Sequence, residues 1–207
     1  MLITVSRQYG AGGSAVAERV AGALDWRVVD NELLERIARR AGLPPEDVAE
    51  LEERVPSFIE RLARVLASGT PELFPPPNGT VPELAEQDLV RITETVVAEV
   101  AAEGRVVLVG RAAPAVLARE RDALHVKVVA SRPFRVRTTM ERLSVDAKEA
   151  ERIVTQMDAH RARYHRDNYG RDWTDASNYD VVVNAERLGL DGAVDVVVGE
   201  ARRRGWR

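Results

Sequence analysis

A glycine-rich turn, Ser6-Arg7-Gln8-Tyr9-Gly10-Ala11-Gly12-Gly13, lies between a short β-prone run, Leu2 to Val5, and a segment with Val16, Val20 and Leu24 at i, i+4 and i+8. Strand, glycine turn and helix N-terminus together aim several backbone N–H groups and the positive end of a helix dipole at one spot. Phosphate is the natural occupant, and a plain tight turn is the alternative. Against the pattern G-x-x-x-x-G-K-[ST], Arg7 stands at the first glycine, Gly12 at the second, Gly13 at the lysine and Ser14 at the Ser/Thr. Gly10, Ala11, Gly12, Gly13 and Ser14 are therefore the candidate donor-phosphate contacts, and the Ser14 hydroxyl is the candidate Mg²⁺ ligand. Positive charge has to come from elsewhere. Arg7 is one source, since a guanidinium can fork onto two phosphate oxygens; a surface salt bridge is its other reading.

These residues need a scaffold, and the rest of the chain supplies the pattern of one. A second strand fits Trp26 to Val29, and Leu33, Leu34, Ile37 and Ala38 continue with helical spacing until Gly42. This βαβ order implies a parallel sheet with a right-handed crossover. Glu46 to Leu66 reads as helical, and five prolines between Thr70 and Pro82 mark an extended loop, either a connector or a flap. Helical spacing returns from Glu83 to Glu103. Arg105 to Val109 and Leu124 to Val129 read as strands, the former of the continuously apolar type buried on both faces. A helix runs through Leu143, and Asp146 with Glu149 resembles a capping box opening a long helix. Asp180 to Val183 is a fifth strand, and Leu190 to Arg203 a closing helix.

In an open α/β sheet, ligands bind beyond the carboxyl ends of the strands. That rule selects the glycine turn, Asp30 and Glu32, Gly110-Arg111, Ser131-Arg132 and Asn184. Asp30 suits a general base toward an acceptor hydroxyl, a partner of Mg²⁺ or substrate hydroxyl, or a helix N-cap. Asp158, Arg161 and His165 share a helix face at i, i+3 and i+7, and a polar segment from Asp167 to Asn178 follows. An arginine-bearing lid is expected there, able to bring charge to a phosphoryl group and exclude water; an inert loop is the other reading. His125 and His160 are isolated and show no metal spacing.

Composition narrows the classes. The 207 residues contain 30 basic side chains, of which only Lys127 and Lys148 are lysines, and the net charge is −3. No global basic field exists of the kind nonspecific nucleic-acid binders use, so nucleic acid is not an expected partner. There is no cysteine, which excludes disulfides and thiolate chemistry. No 18-residue apolar run suggests a membrane span, and a cytoplasmic protein is expected.

With these residues assembled, the chain resembles the cytidylate kinase-like proteins, a branch related to the nucleoside monophosphate kinases. The resemblance rests on Ile3 to Gly13, Val29-Asp30-Asn31-Glu32-Leu33-Leu34, Val109-Gly110-Arg111, Ala130 to Arg137 and Tyr179 to Asn184, nearly the whole length. It implies a three-layer α/β, P-loop kinase-like domain over 1–207, with a five-stranded parallel sheet of order 2-3-1-4-5. A helical acceptor-side insertion over 46–103 and an arginine lid over 161–178 come with it. In that branch the loop resembles S-R-Q-x-G-S-G-G, so the missing loop lysine looks like a family trait. Ala112 stands where true cytidylate kinases carry Asp after the Gly-Arg pair.

The implied activity is ATP- and Mg²⁺-dependent transfer of a γ-phosphoryl group to a nucleoside monophosphate, CMP-like, or to another small acceptor. Asp30 and Arg111 would serve the acceptor, Arg135, Arg161 and Arg163 the developing charge, and Arg7 to Ser14 with Asn184 the nucleotide. A nucleotide-binding regulatory module and a kinase of a non-nucleotide metabolite are the alternatives. Oligomeric state, a homodimer included, stays open.

Overall fold

The computed structural model describes residues 1–41 and 86–206, so the expectations for 46–66 and for the prolines of 70–82 fall outside the described residues. The chain divides into two units, Met1–Asp30 with Val97–Arg207, and Asn31–Val96. In the first unit, β1 (Leu2–Arg7) leads through the glycine turn to α1 (Gly13–Leu24) and β2 (Arg27–Val29). Of the second unit, α2 (Asn31–Ala41) and the opening of α3 (Glu86–Glu103) are described; the last turns of α3 belong to the first unit. Within α2, Arg36 pairs with Glu32 one turn earlier at 2.7 Å, worth a few tenths of a kcal/mol.

The first unit continues with β3 (Val106–Val109), the short α4 (Ala113–Val116), β4 (Ala123–Val129), α5 (Arg132–Leu143), α6 (Ala147–Tyr169), a 3₁₀ turn (Ala176–Asn178), β5 (Val181–Asn184) and α7 (Ala185–Arg203). The five strands form one sheet in the order β2-β3-β1-β4-β5, and every pairing is parallel. This is the order that the family resemblance implies. It sets β1 at the centre, so the turn after β1 emerges in the middle of the sheet edge where loops from both neighbours converge.

Side-chain alternation gives the two sheet faces different characters. Ile3 and Val5 of β1, Val107 and Val109 of β3, and Leu124, Val126 and Val128 of β4 join α1 and α7 in one apolar core. The intervening positions are also buried but include polar groups: Thr4, Ser6, His125 and Lys127. Register pairs Thr4 with His125 and Ser6 with Lys127. In the first pair Thr4 Oγ1 lies 2.7 Å from His125 Nδ1, while the buried His125 Nε2 has no hydrogen-bond partner among the described residues. The second belongs to the site.

Local signals explain most boundaries. Asp146 caps α6 by accepting the Glu149 N–H at 2.8 Å, while the Glu149 carboxylate pairs with Arg152 and so makes no return bond of the box type. The helix then continues to Tyr169, where Gly170 ends it with φ +59°. The closing helix begins five residues earlier than its spacing suggests. Asn184 caps it, and Gly189, with φ +68° and ψ 173°, interrupts its first turns and hides them from a periodicity argument. Among the described residues, no helix is long and apolar enough to cross a membrane.

Candidate active site

The turn after β1 is held from both sides. The Gln8 N–H donates to the Val128 carbonyl at 3.0 Å, and the Gln8 side-chain oxygen accepts the Ala130 N–H at 3.2 Å. Gly10 and Gly12 adopt φ near +80°, and Gly12 occupies the N-cap position of α1. No side chain caps α1 and its first turn carries no acidic residue of its own, so the first N–H groups of the helix are left for another acceptor. That is the arrangement an anion needs.

Arg7 crosses this turn. A Cβ placed on Gly13 would lie 2.8 Å from Arg7 Cγ and nearer still to Arg7 Cβ, inside the 3.0 Å that real Cβ atoms respect. One on Gly110 would collide with Arg7 Nη1. The side chain thus runs over Gly13 toward the end of β3, with its guanidinium against Gly110. Glycine at 13, the very position of the usual loop lysine, makes room for arginine at 7. Arg7 Nη2 lies 3.8 Å from Asp30 Oδ1, and Ser14 Oγ donates to Asp30 Oδ2 at 3.4 Å. Arg7, Ser14 and Asp30, taken from the ends of two strands and the start of a helix, therefore meet.

After β3, three consecutive residues take left-handed backbone: Gly110 at φ +77°, Arg111 at +51° and Ala112 at +50°. For Arg111 and Ala112 this costs about 1–2 kcal/mol each, strain of the kind that accompanies sites. Arg111 turns its guanidinium inward, where its Nε and Nη2 are buried.

On the other side, Arg135 and Arg161 converge on the same turn. Arg135 is 8% exposed and donates to the carbonyls of Ala130 at 3.2 Å and Tyr9 at 3.3 Å. Arg161 donates to the Arg7 carbonyl at 3.1 Å. Between them lies Asp158, 2.5 Å from Arg135 Nη1 and 3.5 Å from Arg161 Nη1, with Oδ1 accepting the Tyr9 N–H at 2.9 Å. The Tyr9 ring is flanked by the guanidinium groups of Arg142 and Arg161, and its hydroxyl meets Arg142. Arg163 lies on the exposed side of α6 and shares none of the described contacts. Asn184 uses its side-chain oxygen to accept the Arg187 N–H at 3.1 Å, which caps α7.

Sequence patterns missed a second network beside the turn. Lys127, 3% exposed, donates to the Trp173 carbonyl and lies 4.0 Å from the Trp173 ring centre and 4.9 Å from that of Tyr179. The Trp173 indole N–H donates to Ser6 Oγ at 2.9 Å, and the Tyr179 hydroxyl reaches both Ser6 Oγ at 3.4 Å and the Trp173 carbonyl at 3.0 Å. Burial pushes the Lys127 ammonium down to about 8, against the pull of Asp158 and Asp172. His165, also buried, is pushed down to about 4, first by desolvation and then by the charges of Lys127, Arg171 and Arg161. The segment after α6 is thus fastened to the end of β1. Lys127 as one of two lysines was the available signal, but nothing local links it to an indole 46 residues away.

The residues fit a nucleotide and a metal by donor chemistry. Ser14 Oγ and Asp30 Oδ2 are hard oxygens 3.4 Å apart, near the spacing of about 3 Å between adjacent ligands of octahedral Mg²⁺. Among the described residues, no group of three or more His, Cys, Asp or Glu is placed to hold a metal by itself. A metal here would share its shell with phosphate and water.

The sheet order and the glycine turn before α1 define a P-loop kinase-like α/β fold. The chain belongs to the cytidylate kinase-like family, whose model matches residues 2–187. It is 31% identical over 107 residues to the cytidylate kinase of Methanopyrus kandleri, across 48% of this chain and 55% of that protein, so the match spans about half of the curated relative. Among solved structures it is similar to an uncharacterized protein from Eubacterium ventriosum, with a TM-score of 0.69 and 20% identity over 97% of both chains. It is also similar to shikimate kinase from Bacteroides thetaiotaomicron, with a TM-score of 0.55 and 14% identity over 98% of both.

Proposed function

We propose that this protein is an ATP- and Mg²⁺-dependent kinase that transfers the γ-phosphoryl group to a small acceptor, a CMP-like nucleoside monophosphate being the first choice. The observation that carries the reading is the course of Arg7 across Gly13 to Asp30 and Gly110. It puts a permanent positive charge at a phosphate-type turn that lacks its lysine. The family membership and the partial match to a cytidylate kinase support the same reaction class.

In this reading the backbone N–H groups at the start of α1 and the Arg7 guanidinium hold the donor phosphates. Ser14 and Asp30 would hold Mg²⁺, which neutralises charge on the β- and γ-phosphates when bound. An acceptor phosphate oxygen forms the new bond to the γ-phosphorus as the bridging oxygen leaves with ADP. Arg135 and Arg161 face the turn, where charge develops, and Arg111 serves the acceptor from the end of β3. Residues 161–178 act as the lid, which Trp173 fastens to Ser6 at the end of β1; Arg163, solvent-facing, is left out of the phosphate contacts.

A coupled ADP-release assay across nucleoside monophosphates and small hydroxylated metabolites tests the proposal. ADP release that requires both an acceptor and Mg²⁺ is expected. Nucleotide binding by calorimetry with no turnover on any acceptor would replace the kinase with a nucleotide-binding module.

A further inference from the structure

Asp158 lies one helical turn before Arg161 on α6, and besides that neighbour it contacts the turn after β1 and α5. Three donors meet on its carboxylate: the Tyr9 N–H at 2.9 Å, Arg135 Nη1 at 2.5 Å and Arg161 Nη1 at 3.5 Å. Its side chain is 18% exposed, and those of Arg135 and Arg161 are 9% and 22% exposed, so water screens the group poorly. Both arginines also donate to carbonyls of the turn, Arg135 to Tyr9 and Arg161 to Arg7. Two guanidinium groups drawn to one short stretch of backbone repel each other. Asp158 is the anion between them.

We infer that Asp158 is a positioning residue that holds Arg135 and Arg161 against the phosphate turn before substrate arrives. The inference rests on the proposed phosphotransfer. Charge aimed in advance needs no reorganisation as the reaction proceeds, which is where such groups gain their effect. A second consequence concerns the turn itself. The Tyr9 N–H is engaged by Asp158, so the amides left to meet phosphate lie beyond it, toward Gly12, Gly13 and Ser14.

The test compares Asp158→Asn with Asp158→Glu in the full chain. Asn keeps the shape and an oxygen for Tyr9 but loses the charge; Glu keeps the charge with one more methylene. Loss of a charge-assisted contact of this kind slows turnover about 10- to 100-fold. The expected result for Asn is a kcat reduced by that factor with little change in the KM for ATP, and for Glu a kcat recovered to within about tenfold of wild type.

A second readout is independent of turnover. In ¹⁵N relaxation of the arginine Nε–H groups, two slow, well-ordered signals assigned to Arg135 and Arg161 should become mobile in Asp158→Asn. Wild-type kcat in the Asn variant, equal impairment of Asn and Glu, or unchanged order of both guanidinium groups would overturn the inference. Absence of turnover in the wild-type protein with order lost in Asp158→Asn would instead remove the kinase reading and leave the positioning role standing.

Discussion

Arg7 and Gly13 are coupled by volume, and the coupling can be measured. A methyl group on Gly13 must move apart from Arg7 Cγ, 2.8 Å away, by about 0.6 Å, and from the closer Arg7 Cβ by about 1 Å, to reach ordinary contact at 3.4 Å. The partners are a strand end and a helix start, both in the packed part of the molecule, and overpacking of this kind costs about 1–3 kcal/mol. Removal of a glycine from a helix works the other way, by at most about 1 kcal/mol. Gly13→Ala should therefore lower stability by about 1–2 kcal/mol. In an Arg7→Gly background the same substitution should be neutral or stabilising, because the obstructing side chain is gone. Arg7→Ala should give little relief, since its Cβ is the nearest atom.

Urea denaturation of the four proteins in the Arg7→Gly, Gly13→Ala cycle yields the coupling energy directly, with about 1–3 kcal/mol expected. Additivity within about 0.5 kcal/mol would refute the claim that glycine stands at the lysine position to let Arg7 pass. Gly13→Lys restores the usual loop residue on paper. By the same geometry it should destabilise the protein as single variant and be tolerated only with Arg7→Gly.

Three further outcomes follow from other contacts. His165 is held near 4 in the fold against 6.5 when unfolded, so its contribution to stability is full above pH 6.5 and falls as pH drops toward 4; the total is of order 3 kcal/mol, and His165→Asn should flatten that part of the stability–pH curve. Lys127 is held near 8 against 10.5, so the unfolded chain alone keeps the proton between those values and stability from this group rises with pH across that window; Lys127→Met should lose the rise, measured by urea titration at pH 8 and 10. Ser14→Ala removes one of two oxygens at the candidate Mg²⁺ position, and the Mg²⁺ concentration for half-maximal ADP release should rise at least tenfold while the fold is unaffected.

The sheet was legible because its strands are short apolar runs bounded by glycine, charge or turn residues, as at Val106–Val109 before Gly110. Its order came from the family resemblance, and the structure agrees with it. The four residues of α4 are too few to show a helical period. Around the site, the strand-end rule pointed to Arg7, Asp30 and Arg111 because a parallel sheet gathers those ends whatever the loops do.

Two features escaped because they depend on contacts between distant residues. Arg7 meets Gly110 across 103 positions and Lys127 meets Trp173 across 46, and no periodicity encodes either. The face shared by Asp158, Arg161 and His165 was visible, but not its division. Asp158 and Arg161 reach the turn after β1, while His165 is buried within 6.1 Å of the Tyr169 ring. Asn184 sits at a strand end as the rule requires, yet the same position is the N-cap of α7, where its side chain already has work.

In the proposed function, arginine supplies the charge that a loop lysine gives elsewhere. This is tested most directly by the rate of ADP release in Arg7→Met against wild type, with Mg·ATP and the acceptor turned over fastest. A loss of about 10²- to 10³-fold is expected, the scale of removing one preorganised charge or donor from a reacting centre. An Arg7→Met protein that releases ADP at the wild-type rate would contradict it.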